Sequence, residues 1–209
     1  MNVLVTAGPT QEFLDDVRYI TSPSTGKMGF AVAQVFAAAG HKVNLVTGPV
    51  SLEDPAGVHV TRVVTAVEMH RAVMQLLGQA EVVVMTAAVG DYRPAERFKG
   101  KRKRTGGKLL LELVENPDIL REIGQDKGGR VLVGFAVESD QPRRGALEKL
   151  RKKNLDFIVL NAPSAFGADV TSVDIIDRDE RTTEMRNVPK RDVAERIRTM
   201  VEDLIESRA

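Results

Sequence analysis

The chain has 209 residues, 43% of them hydrophobic, and 30 Lys plus Arg against 29 Asp plus Glu give a net charge of +1. That length suits one domain with a sizeable core, and so even a charge excludes the broad basic footprint of a nucleic-acid- or membrane-surface-binding protein. The absence of cysteine excludes disulfides, a thiol nucleophile and a zinc–thiolate site; with no apolar run of the roughly 20 residues that a membrane helix needs and no basic leader at the start, the expectation is a cytoplasmic protein.

Asn2 to Ala7, NVLVTA, is a short β-branched run of the kind buried on both faces of a parallel sheet. A polar loop is expected from Gly8 to Thr25, then a helix over KMGFAVAQVFAAA that stops at Gly40. HKVNLVTG and HVTRVV read as strands two and three, and Thr65 with Glu68 forms a capping box for a helix over Ala66–Gly78. EVVVMTAA is a fourth buried strand. From Val89 to Lys108 the chain turns polar, basic and Gly-containing, which reads as a long mobile loop, and loops of that length in compact domains are functional or disordered. LLLELV is a strand, and Asn116-Pro117-Asp118 reads as a helix start with Asn as the N-cap. RVLVGFAVE is a buried strand, QPRRGALEKLRKKN a helix and LDFIVLNA a further strand. TSVDIID and RTTEMRN flank Arg178-Asp179-Glu180 as an antiparallel hairpin, and a closing helix carries Val193, Ile197, Met200, Val201 and Leu204 on one stripe.

Strands alternating with helices predict a single Rossmann-like α/β domain over 1–209: a mostly parallel, doubly wound sheet with a C-terminal antiparallel hairpin and closing helix. Ligands of such folds bind at the carboxyl ends of the strands, near the point where strand order reverses. The loops predicted there hold most of the unusual residues, which points to an enzyme.

ITSPSTGKMGF, residues 20–30, places Ser, Thr, Gly and Lys at the mouth of an apolar helix. The spacing is neither a phosphate-binding P-loop nor a standard dinucleotide fingerprint. Gly26 and Gly29 still permit close backbone approach of an anion to the first amides of the helix, whereas on the plainer reading Ser22, Ser24 and Thr25 only cap it. TAAVGDYRP, residues 86–94, combines small residues at a strand end with Asp91, which either accepts from a ligand hydroxyl or amino group or caps a turn. KGKRKR, residues 99–104, is either a solvated face or a source of cations for phosphates. Lys149 and Lys153, four apart on a helix, repel unless an anion or acids lie between them. The second strand ends NLVTGP without the acid that a nicotinamide enzyme places against the ribose. His41, His59 and His70 have no metal-ligand spacing.

In combination, VLVTAGPTQEFLDDVRYI, SPSTGKMGFAVA, VTGPVSL, TAAVGDYRP, LVENPDIL, VGFAVES and KLRKKNLDFIVLN resemble, in order and over nearly the whole chain, the phosphopantothenoylcysteine synthetases of coenzyme A biosynthesis, which in bacteria are usually one half of a bifunctional synthetase–decarboxylase. The resemblance implies a ligase that activates 4′-phosphopantothenate with CTP to an acyl-cytidylate and then couples it to cysteine, with Mg2+ on the triphosphate and a homodimer as the working form. It implies a nucleotide cradle from Gly8, Ser24, Gly26 and Gly29, and a meeting point of substrate and nucleotide at Ala87, Ala88 and Asp91. Lys101 corresponds to a lysine of a flap over about 92–108 that supports acyl-nucleotide formation. Pro117, Asp118, Ile119, Leu120, Phe135, Lys149 and Lys153 would contact base, ribose and phosphates, Asn161 would close the pocket, and Arg18 would reach a neighbouring subunit. Ser22 stands where the family usually has an Asn that serves the cysteine step, and a hydroxyl offers one donor where an amide offers two and an acceptor. Thr171 likewise stands where an Asn is common. The rival readings are an NAD(P)-dependent oxidoreductase of the same fold and a non-catalytic nucleotide-binding paralogue.

Overall fold

A computed structural model describes residues 1–103, 106–137, 141–161 and 168–208. In chain order its elements are β1 (Asn2–Ala7), β2 (Gln11–Phe13), β3 (Tyr19–Thr21), α1 (Lys27–Ala38), β4 (Lys42–Thr47), β5 (Val58–Arg62), α2 (Ala66–Leu77), β6 (Val82–Met85), β7 (Tyr92–Pro94), β8 (Leu113–Glu115), α3 (Ile119–Gln125), β9 (Val131–Val137), α4 (Pro142–Lys152), β10 (Phe157–Asn161), β11 (Val170–Asp177), β12 (Thr182–Pro189) and α5 (Lys190–Glu206). Eight strands form one sheet in the order β12-β11-β10-β9-β6-β1-β4-β5. The six from β5 to β10 across this order run parallel, and β11 and β12 add antiparallel at one edge. Strand order therefore reverses between β1 and β6, and the expected doubly wound sheet with its C-terminal hairpin is present.

Alternation along β1 divides the core. Val3, Val5 and Ala7 pack with Phe30, Val32, Phe36, Val193 and Ile197 beneath α1 and α5. Leu4 packs with Val46, Met69, Val73, Ile123 and Leu150 beneath α2, α3 and α4. Both faces of the central strands are thus covered, as their unbroken apolar runs require, and each large side chain so enclosed contributes roughly 1.5–3 kcal/mol of transfer free energy. The Thr65–Glu68 capping box is formed, and the buried Glu12 carboxylate adds a third acceptor there, taking the Ala66 amide at 2.9 Å. At the opposite end of the strands, buried Asp156 accepts from Lys127 Nζ at 2.7 Å, the Leu132 amide at 2.8 Å and Arg208 Nη2 at 2.7 Å.

Four local expectations change. Within the stretch expected as one polar loop, 8–25, β2 and β3 form a small hairpin in which Gln11 faces Thr21. The LLLELV strand shortens to β8, which pairs with β7. The stretch expected as a loop from Val89 to Lys108 contains β7 and, over its described part, makes contacts with residues 14–16. Phe98 donates its amide to the Leu14 carbonyl at 2.9 Å, Gly100 to Asp16 Oδ2 at 2.7 Å and Arg102 to Asp15 Oδ2 at 3.2 Å. Finally, Asp118 rather than Asn116 caps α3, accepting from the Arg121 amide at 3.1 Å. Asn116 is committed elsewhere: its Nδ2 donates to the Gly90 carbonyl at 2.8 Å and its Oδ1 accepts from Arg93 at 3.1 Å. That commitment leaves Pro117 outside the helix.

Candidate active site

The crevice at the strand-order reversal is built by very close packing. Thr86 Oγ1 donates to the Thr6 carbonyl at 2.6 Å, and the Ala87 amide donates to Thr6 Oγ1 at 3.2 Å, so the ends of β1 and β6 are pinned together. Helix α1 descends onto this junction at Gly29, where an added Cβ would lie 2.4 Å from Thr86 Oγ1, 2.5 Å from Ala7 Cβ and 2.9 Å from the Thr6 carbonyl oxygen. Gly26 precedes the helix at φ +78°, a left-handed conformation natural to glycine. No side chain caps α1 and no acid lies in its first turn, so its leading amides and its dipole favour an anion at the crevice.

Two clefts open side by side there. The first, about 430 Å³, runs along Gly90, Asp91, Asn116 to Arg121 and Lys153. The second, about 390 Å³, lies between Ser24 to Gly29 on one wall and Thr86, Ala88, Phe135, Val137, Asn161 and Lys190 on the others. Val89 and Asp91 line both. Charge follows the same division. In the first cleft Lys153 Nζ lies 2.8 Å from Asp118 Oδ1. At the edge of the second, where Lys27 also borders a neighbouring cleft, Lys27 Nζ lies 2.6 Å from Asp169 Oδ1, which holds the Asp169 carboxyl below its ordinary range. Burial, reinforced by the positive charge of Lys27, pushes the Lys190 ammonium below the usual lysine value.

Of the residues singled out in the sequence, Ser24, Gly26, Gly29, Ala88, Asp91, Pro117, Asp118, Ile119, Leu120, Phe135, Lys153 and Asn161 line these clefts. Gly8 and Ala87 support them from behind: the Gly8 carbonyl accepts the Ala88 amide at 2.9 Å, and Ala87 packs on the core beneath α2. Asn161 is oriented by Thr171, whose hydroxyl donates to its Oδ1 at 3.1 Å. Four residues lie outside the clefts. Ser22 Oγ accepts the Ser24 amide at 3.3 Å, shaping the approach to α1. Lys149 is half-buried on α4. Arg18 folds back on Asp15 and donates to the Arg102 carbonyl at 3.0 Å. Lys101 is exposed on the loop that docks against the Asp15–Arg18 turn.

Lys27 falls in the motif at the mouth of α1 without a role of its own there, and Thr86 and Lys190 carry none in the sequence. Thr86 and Lys27 adjoin residues already picked out. Lys190 carried a usable signal: a cation at the first position of a helix opposes the helix dipole.

A family profile for the DNA/pantothenate metabolism flavoprotein C-terminal domain matches residues 1–204. The chain is 41% identical over 198 residues to the coenzyme A biosynthesis bifunctional protein CoaBC of Bacillus subtilis, covering 92% of this chain and 49% of that protein. It is 46% identical over 176 residues to the protein of the same name from Vibrio cholerae, covering 82% and 44%. The chain spans about half the length of such curated relatives. Among solved structures, the C-terminal domain of a CoaBC protein superposes with a TM-score of 0.87 at 36% identity, covering 99% of this chain and 96% of that one.

Proposed function

The chain belongs to the DNA/pantothenate metabolism flavoprotein C-terminal domain family, and from that premise we propose that it is a phosphopantothenate–cysteine ligase that uses CTP. The observation that carries this reading is the convergence of five distant segments, Ser24–Gly29, Ala88–Asp91, Pro117–Leu120, Phe135 and Lys153–Asn161, on two clefts that share Asp91. A ligation through an acyl-nucleotide needs that arrangement: one compartment for a base and ribose, one for phosphates, and the reacting carboxylate between them.

In this assignment the cleft along Pro117 to Leu120 takes the base and ribose, with Lys153 toward the phosphates. The amides of Gly26 to Gly29, with Ser24, take the phosphate chain. The carboxylate of phosphopantothenate attacks the α-phosphorus and pyrophosphate leaves; the cysteine amine then attacks the acyl carbon, loses a proton and releases CMP. Cations near the departing pyrophosphate favour the first step, and Lys101 would join them when its loop leaves the Asp15–Arg18 turn. Among the described residues no cluster of three or more His, Asp or Glu could hold a metal. One exposed carboxylate, Asp91, at the junction fits a magnesium ion that arrives on the triphosphate and keeps most of its oxygen ligands from phosphates and water. Bound in that way, the ion would neutralise the triphosphate. A homodimer that places Arg18 against a neighbour's site belongs to the same proposal. The oxidoreductase alternative lacks support, because β4 ends at Val46-Thr47 with no carboxylate for a ribose.

The test is pyrophosphate release from CTP, with ATP in parallel, in the presence of 4′-phosphopantothenate with and without cysteine. Continuous release that requires both the acid and cysteine is expected. A single burst that cysteine does not extend would limit the chain to activation, and no release from either nucleotide would move it to a non-catalytic binding role.

A further inference from the structure

Asp91 is the acidic residue common to both clefts, and its backbone is closely held although its side chain is exposed. The direction of a Cα–Cβ bond follows from the two peptide planes that flank the Cα, because each plane is rigid and only φ and ψ are soft. Both planes that flank Asp91 are held by one residue. The Gly90 carbonyl, in the plane before it, accepts from Asn116 Nδ2 at 2.8 Å. The Asp91 carbonyl, in the plane after it, accepts the Asn116 amide at 2.8 Å. One plane further back, the Gly90 amide donates to Oγ1 of buried Thr10 at 2.9 Å. Three hydrogen bonds thus fix the turn, while among the described residues none engages the Asp91 carboxylate.

Asn116 is itself oriented by Arg93. A guanidinium has donors and no acceptor. Arg93 Nη1, 3.1 Å from Asn116 Oδ1, therefore draws the amide oxygen toward itself and leaves Nδ2 facing the Gly90 carbonyl. The same nitrogen donates to the Glu115 carbonyl at 2.6 Å, which ties the guanidinium to the residue opposite Tyr92 in the β7–β8 pair. Asn116 lines the first cleft, whereas Arg93 lines neither.

We infer that Arg93 and Asn116 are positioning residues that aim the Asp91 carboxylate into the junction of the two clefts. Arg93 sets the orientation of the Asn116 amide, and Asn116 sets both peptide planes of Asp91. The inference deepens the ligase reading and rests on it only for what Asp91 meets there, the triphosphate with its magnesium ion. A carboxylate whose direction is already fixed meets that ligand without the entropy loss of ordering a turn on binding.

The test is a double-mutant cycle on the full chain with wild type, Arg93→Met, Asp91→Asn and the double variant. Arg196→Met is the control that removes one exposed charge elsewhere. CTP affinity is measured by calorimetry in the presence of Mg2+. Amide exchange at Asn116, whose bond to the Asp91 carbonyl reports on the turn, is measured without ligand. Arg93→Met is expected to weaken CTP binding about tenfold, the scale of one contact to a charged group, and to speed exchange at Asn116. In the Asp91→Asn background the same change is expected to weaken binding by less than about twofold, because a positioning residue acts through the side chain that it positions. Arg93→Lys, which still offers donors, is expected to recover part of the loss, and Arg196→Met binds as wild type. A merely structural arginine would lower the melting temperature and weaken binding equally in both backgrounds. Equal losses, or an unchanged affinity in Arg93→Met, overturn the inference. If wild-type protein binds no CTP, the ligase reading fails and exchange alone decides the positional claim: faster exchange at Asn116 in Arg93→Met upholds it, and unchanged exchange overturns it.

Discussion

Replacing Gly29 with alanine tests whether contact distance sets the position of the α1 amides. The new Cβ would meet Ala7 Cβ at 2.5 Å and the Thr6 carbonyl oxygen at 2.9 Å, and both belong to the central strand. Thr86 Oγ1, at 2.4 Å, can turn away only by losing its 2.6 Å bond to the Thr6 carbonyl. Ordinary carbon contacts lie near 3.5–4.0 Å, so the start of α1 must withdraw by about 1 Å. Overpacking of this kind costs about 1–3 kcal/mol, and the better helix propensity of alanine returns up to ~1 kcal/mol. A net loss of about 1–2 kcal/mol corresponds to a melting temperature lower by about 2–8 °C for a chain of this size. Displacing an anion cradle by such a distance reduces catalytic efficiency by about 10²-fold. The assay pairs thermal melting with the pyrophosphate-release rate, and Gly78→Ala is the control. Gly78 has helical φ −61° and open space around its Cβ position, so alanine there is expected to stabilise by about 0.4–1 kcal/mol. A Gly29→Ala protein with wild-type melting and wild-type rate would refute the claim that this contact positions the amides.

Asp156→Leu leaves the buried Lys127 ammonium without its 2.7 Å partner; a loss of about 3–5 kcal/mol is expected in urea unfolding, with the KM for nucleotide unchanged in the protein that remains folded. The Arg18 guanidinium, aided by the Val17, Arg18 and Arg102 amides, holds the Asp15 carboxyl well below the usual carboxylate range. A depressed pKa contributes stability that is present above the unfolded value near 4 and is lost as pH falls toward the folded one. Exchange protection of the Arg102 amide should therefore fall as pH drops below about 4, and Asp15→Asn should lose it already at pH 7; protection independent of both would contradict this. Ser22→Asn is expected to raise cysteine-dependent turnover while leaving the pyrophosphate burst unchanged, and equal turnover in the two proteins would show that the serine suffices. Lys153→Met should raise the KM for nucleotide about tenfold through loss of a charge-assisted contact with little change in melting, since the 2.8 Å pair that it breaks with Asp118 is partly solvated; an unchanged KM would remove Lys153 from the site.

The parallel core was legible because β1, β6 and β9 are unbroken apolar runs whose only stable environment is between two layers of helices. The Thr65 capping box was legible for a related reason: both of its hydrogen bonds are local and close within four residues. Legibility failed where a side chain had two competing uses and the distant one won. Asn116 reads as a cap, but Gly90, Asp91 and Arg93 engage it across the β7–β8 hairpin. The contacts of the 95–103 segment could not be read from its own polar residues, because their partners are the backbone and carboxylates of Leu14 to Asp16, more than eighty residues earlier in the chain. The candidate site divides in the same way. Its glycines and small residues were found because close approach leaves a compositional trace, as at Gly26, Gly29 and Ala88. Lys190 lies outside every motif, and it meets Lys27 and Asp169 only once α1, α5 and the residue before β11 have come together, a juxtaposition that no local pattern encodes.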